Sequence, residues 1–225
     1  MARLHIRAFR QDDIPQASAL LAARQAADIA RFPFFKRELV TPAGATAAIE
    51  VIAAKPQARG AVAERDGRIA GYLFTEPQLF SPVEMMALFL APHSVSVPLE
   101  GYGAVAGEDL EVLYRDLYGF LAEGWVREGF FEHTVEIVAG DAELQEAFVA
   151  LGFGRHLTAA TRPTAGLVTS PVAAGIDVHR AGAEDIGVVM ELADELNRHH
   201  ALAPMFWPLI VTAEPAARGF NLAML

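Results

Sequence analysis

From Leu110 to Phe153 the hydrophobic period changes twice in one run, and that succession limits the chain more than any other feature. Leu110, Leu113, Leu117, Leu121 and Trp125 recur every three or four residues, the spacing of one face of a long helix ending near Gly129. "HTVEIVAG", residues 133–140, then reads as a buried strand. "DAELQEAFVALGF", residues 141–153, returns to helical spacing behind Asp141, a residue type that accepts hydrogen bonds from the free amides of a first turn. The helix is expected to stop at Gly152, which can take the left-handed conformation that closes a helix. Phe153 should pack back on the core where a final strand, "RHLTAATRP", begins.

The upstream half has the same kind of punctuation. Leu4, Ile6 and Ala8 alternate with His5 and Arg7 as in a short half-buried strand. Asp12-Asp13 ahead of Ile14-Pro15 suits a helix N-terminus, continued by a stripe of Ile14, Ala17, Leu20, Leu21 and Arg24. Residues 31–45 read as irregular around "RFPFF", and a second helix is expected from Ala45 to Ala54. "RGAVAERDGRIAGYLFTEP" is a hairpin turning at Asp66-Gly67. "FSPVEMMALFLAP" fits helix and strand alike, and "HSVSVPLEGYGAVAG" reads as a strand running into a glycine-rich loop.

At 225 residues, 53% hydrophobic and 20% charged, the chain can bury a core of one or two domains. A net charge of −10 without a Lys/Arg cluster argues against nucleic-acid binding and leaves small cationic or amine substrates open. The absence of cysteine excludes disulfides, thiolate zinc sites and cysteine nucleophiles. The first residues carry charges through their apolar positions, unlike a signal peptide, and no stretch approaches the ~20 apolar residues that span a bilayer. The expectation is a soluble, cytoplasmic protein with no membrane partner.

"TAGLVTSPVAAG" is uncharged and rich in small residues, as a linker is. Beyond it "HRAGAEDI", His179 to Ile186, echoes "IRAFRQDDI", Ile6 to Ile14. "PMFW", residues 204–207, stands at the same offset from "FPFF", residues 32–35. Two matches at one offset indicate a duplication. The expected organisation is a domain over 1–163, a linker over 164–175, and over 176–225 the partial start of a second copy, too small for a core of its own.

The order strand, helix, helix, hairpin, strand, loop, helix, strand, helix, strand, with "DAELQEAFVALGFGRH" closing the last core helix, resembles the GNAT N-acetyltransferase family, in a tandem arrangement. The resemblance implies an α/β (α+β) fold, a mixed central sheet flanked by helices, in which central strands splay apart to admit acetyl-CoA. It further implies transfer of an acetyl group to an unidentified small-molecule or peptide amine. Backbone amides of the diverging strand would hold the pantetheine arm, and a glycine-rich loop at a helix N-terminus would face the pyrophosphate. The residues the resemblance sets along this co-substrate are Val95, Val97, Gly101, Tyr102, Gly103, Ala104 and Val105. Two positions depart from the family pattern. Glu100 stands where a cation would suit phosphate, and Phe148 replaces the tyrosine that commonly protonates the leaving thiolate. These departures open an alternative, a non-catalytic scaffold that binds acyl-CoA or pairs domains.

No catalytic residue is assigned from the sequence. Glu100 and His133 are candidates for a base, each also readable as an ordinary strand-end residue. The Gly101, Gly103, Gly107 spacing also admits a dinucleotide loop, although it lies mid-chain after a hairpin. Glu195 and His199 have a spacing able to share a metal ion, but no third ligand motif accompanies them, so no metal site is expected. The "FPFF" and "MFWP" aromatics fit a substrate pocket or lids over the core. Neither a G-x-S-x-G elbow nor a G-x-x-x-x-G-K-[ST] loop occurs. Homodimerisation is left open.

Overall fold

The computed structural model describes residues 4–81, 84, 90–160, 165–166 and 175–202. The chain divides into two compact units, Met1–Gln78 with His93–Pro163, and Leu79–Pro92 with Thr164–Leu225. In the first, β1 (His5–Ala8) leads through a 3-10 turn into α1 (Ile14–Arg31). Next come α2 (Pro42–Ala53), β2 (Arg59–Arg65), β3 (Arg68–Leu79), β4 (His93–Val97), β5 (Tyr102–Ala104), α3 (Leu110–Arg127), β6 (Glu132–Val135) and α4 (Ala142–Ala150). Among the described residues the sheet order is β1-β2-β3-β4-β6, with β5 also on β3.

Alternation along the central strands builds a core on both faces. Val62, Tyr72 and Phe74 point to the side where Ile14, Ala17 and Leu21 of α1 and Ile49 and Ile52 of α2 lie. Ala61, Ala63 and Leu73 point to the other side, onto Leu113, Leu117 and Leu121 of α3 and Leu144 and Phe148 of α4. Eight consecutive residues of β3 are buried, as a strand covered by helices on both faces requires. Asp66 and Gly67, both at positive φ, close the β2–β3 hairpin. The β4–β6 pair is parallel, and α3 is the crossover that this direction demands.

Capping follows the sequence closely. Asp109 accepts from the Val112 amide and Asp141 from the Leu144 amide, both at 3.1 Å. Gly152 has φ +92°. Its own amide bonds to Val149 and that of Phe153 to Phe148, the double closure of a Schellman end. The Phe153 ring meets those of Tyr118 and Phe148 at centroid distances of 5.2 and 5.3 Å.

Three expectations change. The second helix begins at Pro42 rather than Ala45, because Thr41 caps it through the Gly44 amide and proline suits its first position. The "HTVEIVAG" strand is shorter and only half buried, covering Glu132–Val135. "RHLTAATRP" forms no strand over 155–160. Those residues are exposed, Leu157 to 75%, and pair with none of the described strands. One large apolar side chain gives such a segment little to bury. "FSPVEMMALFLAP" falls mostly outside the described residues.

In the second unit a 3-10 turn, Ala183–Asp185, opens α5 (Ile186–His200), none of whose residues is fully buried. Among the described residues no helix is long and apolar enough to cross a membrane.

Candidate functional site

β4 and β6 run in register from Ser94/Glu132 to Val97/Val135, and the Glu136 amide donates once more to the Val97 carbonyl at 3.0 Å. There the two strands part. Pro98 to Gly101 make a tight bulge, closed by the Gly101 amide on the Pro98 carbonyl at 2.8 Å. The chain then rejoins β3, with the Phe74 amide on the Gly101 carbonyl at 2.6 Å and the Val105 amide on the Ala70 carbonyl at 2.8 Å. Because alternate residues face opposite edges of a strand, this register turns the backbone of Tyr102 and Ala104 away from β3, into the space left by the departing β6.

The glycine-rich stretch is therefore not a loop. Gly101, Tyr102 and Gly103 are buried, and Gly103 is needed because a Cβ there would lie 2.6 Å from the Tyr72 ring. The segment between sheet and α3 is 105–109. Val95 and Val97 are buried in β4, Ala104 is half buried and Val105 exposed.

Arg24 reaches into this gap from α1. Its Nη1 donates to the Tyr102 carbonyl and its Nη2 to the Leu99 carbonyl, both at 2.6 Å. The guanidinium lies 4.1 Å from the centroid of the Tyr102 ring and its Nε 3.6 Å from Asp28 Oδ2. Burial raises the Asp28 carboxyl above its ordinary range against the pull of Arg24. The Tyr102 hydroxyl is buried beside the Val138 backbone, with no hydrogen bond of ordinary geometry among the described residues, and burial pushes this phenol up to about 12. Phe148 stacks on Tyr114 with centroids 5.6 Å apart and brings no hydroxyl.

Beside the point of divergence lies a cavity of about 370 Å³, lined by Gln25, Phe34, Phe35, Lys36, Leu39, Leu99, Glu100 and Glu136. Glu100, expected near phosphate, instead faces this cavity, 3.7 Å from Lys36 Nζ. "FPFF" contributes Phe34 and Phe35, whereas "MFWP" lies outside the described residues. His133 is committed elsewhere. Its Nε2 must carry the proton to meet the Phe130 carbonyl at 3.2 Å, so Nδ1 accepts from the Tyr118 hydroxyl at 2.6 Å. Burial lowers its pKa. Glu195 and His199 stand on exposed positions of α5, and no trio of metal-ligating side chains occurs among the described residues.

The strand side of the gap fits a thioester arm, since it offers outward-turned backbone groups and a buried hydroxyl short of an ordinary hydrogen bond. The loop side fits a pyrophosphate poorly. Glu108, Asp109 and Glu111 cluster at the start of α3, and Arg65 is spent on a two-pronged pair with Glu108 at 2.6 and 3.0 Å. Arg68, which lines a cavity with Val105 and Glu108, is the cation left beside the loop among the described residues. Sequence reading missed Arg24, Gln25, Asp28 and Glu136. Arg24 alone carried a signal, a charge within an apolar stripe.

No protein-family model matches the chain, and no curated protein does. Solved structures do match it. The aminoglycoside N-acetyltransferase AAC(6')-Iy in complex with CoA is 13% identical with a TM-score of 0.52, over 73% of this chain and 97% of that one. A Bacillus halodurans protein is 11% identical with a TM-score of 0.57, over 71% and 98%. A ribosomal-protein-alanine N-acetyltransferase from Brucella melitensis is 13% identical with a TM-score of 0.50, over 72% and 99%. The chain has the GNAT acyl-CoA N-acyltransferase fold.

Proposed function

We propose that this chain is an acyl-CoA N-acyltransferase that moves an acetyl group from acetyl-CoA to an amine. The observation that carries the reading is the parting of β4 and β6 after Val97 and Val135, with the backbone of Tyr102 and Ala104 turned into the gap and a cavity open to solvent beside it. Acetyl-CoA would supply the thioester carbon. The cavity would orient the amine, and orientation is the larger part of such catalysis. Glu100 would take the amine's proton as the new C–N bond forms. The Tyr102 phenol would give a proton to the departing sulfur, a role that Phe148 cannot fill. Calorimetry with acetyl-CoA and CoA tests the reading: saturable binding of both supports it, and binding of neither rejects it.

A second reading, a non-catalytic scaffold, is favoured by Arg24 on the two gap carbonyls and by the acidic start of α3. Glu108→Gln separates the two. It frees Arg65 for phosphate, so a site that takes CoA should bind it more tightly, by a margin that shrinks with salt, whereas a scaffold that only pairs domains should not respond. We also read residues 176–225 as the opening of a second copy, supported by the cap at Gly182 to Ile186 repeating that at Arg10 to Ile14.

A further inference from the structure

The polar atoms around the 370 Å³ cavity are mostly acceptors. Gln25 is only 4% exposed and donates its Nε2 proton to the Lys36 carbonyl at 3.1 Å, which leaves Oε1 as the other end of the amide. That oxygen has no partner among the described residues. Two carboxylates, Glu100 and Glu136, line the same space. The cation present, Lys36 Nζ, is 75% exposed and 3.7 Å from Glu100, too far for a tight hydrogen bond. The remaining wall is Phe34, Phe35, Leu39 and Leu99.

An anionic ligand would meet the two carboxylates, and a ligand with no O–H or N–H would leave the Gln25 oxygen unpaired once it is covered, which is costly. Ammonium groups suit these acceptors, each having three donors and no acceptor of its own, and aromatic rings favour a cation over their faces. The volume is near the lower end for ligand sites, which suits a small molecule. A nitrogen that attacks a thioester must be neutral, so the charge this cavity selects has to sit on a different nitrogen of the same molecule. We infer that the cavity takes a short aliphatic diamine or polyamine, one ammonium held by Gln25 and Glu136, the reacting nitrogen beside Glu100, and the chain lying on the phenylalanine and leucine side chains.

The inference deepens the acyltransferase reading, but its binding step is tested without an acyl donor. Calorimetry on the full chain should give saturable binding of cadaverine, at least about tenfold weaker binding of pentylamine, and none of pentanol. Glu100→Gln and Glu136→Gln should each weaken cadaverine by about tenfold, and Phe34→Leu, at a half-exposed position, by less. Glu143→Gln on the exposed face of α4 should leave it unchanged. Equal binding of pentanol and cadaverine would make this an apolar pocket and overturn the inference. Equal loss in Glu143→Gln would reduce the effect to net charge and overturn it too, as would no binding of cadaverine. Cadaverine bound by a protein that ignores acetyl-CoA would sink the acyltransferase reading and keep this one; the reverse result would do the opposite.

Discussion

At Arg10 and at Gly182 the backbone is extended, with φ −126° and −121°. Three residues later Asp13 and Asp185 each return a carboxylate to that residue's amide, at 2.8 and 2.9 Å, and a helix starts at an isoleucine. The likeness continues along the helices. In α1 the fully buried positions are Ile14, Ala17, Ser18, Leu21, Gln25 and Asp28. In α5 the matching six, Ile186, Val189, Met190, Ala193, Asn197 and His200, are the half-exposed ones, and every other residue of α5 is exposed. Burial depth differs. The α1 face lies against α2 and the sheet, whereas Val188, Leu192 and Leu196 of α5 are between 52% and 60% exposed. Asp13 also takes a two-pronged pair from Arg7 at 2.7 and 2.8 Å, while Asp185 has His179 at 3.8 Å. A cap is written within a few residues; the energy of a helix face is written in what covers it.

The sharpest break in the comparison is at the shared isoleucine. Ile14→Ala should cost about 2–4 kcal/mol, as buried truncations do, and Ile186→Ala less than about 1 kcal/mol, read from denaturant midpoints at constant slope. Equal costs would mean that α5 is packed as α1 is. The caps come next. Asp13→Ala should cost about 2 kcal/mol, a cap plus a charged pair, and Asp185→Ala about 1 kcal/mol or less. Burial works against the Asp13 carboxylate, but its bonds to Arg7 and Arg10 hold it below the ordinary carboxylate range. Its folded pKa is thus depressed, so its contribution is complete above about pH 4, the unfolded value, and is lost as pH falls through the folded one. The penalty of Asp13→Ala should fade on acidification, and a pH-independent penalty would disprove the pairing. The smallest effect is expected for Leu192→Lys, within about 0.5 kcal/mol of wild type; a large loss of stability would reveal a covered face.

What could be read from the sequence was local. The Asp66-Gly67 turn, the Asp141 cap and the Gly152 stop each depend on neighbours a few residues away, and each stands where expected. The glycines at 101 and 103 misled because glycine marks loops and close approaches alike. Here the reason is the Tyr72 ring on a neighbouring strand and the bulge at Pro98, neither visible in a window of sequence. The cavity was legible only through "FPFF" and Glu100. Gln25 and Glu136 are 111 residues apart in sequence numbering, and the fold alone brings them to one wall. Arg24 looked like the polar edge of a stripe, although its partners are carbonyls of a strand far along the chain.

The parallel β4–β6 register joins Ser94 to Glu132 across the whole of α3, whereas the β2–β3 hairpin closes over a two-residue turn. Closing the longer loop costs more entropy before any contact repays it. The order of assembly follows. The hairpin and its helices should form first, and the gap that holds the site should take shape only when α3 has delivered β6 to β4. In pulse-labelled refolding, amides of Ala61–Ala63 should gain protection before those of Thr134 and Val135. A slow-folding variant with a damaged α3 would then pass through a state that has a core and no site.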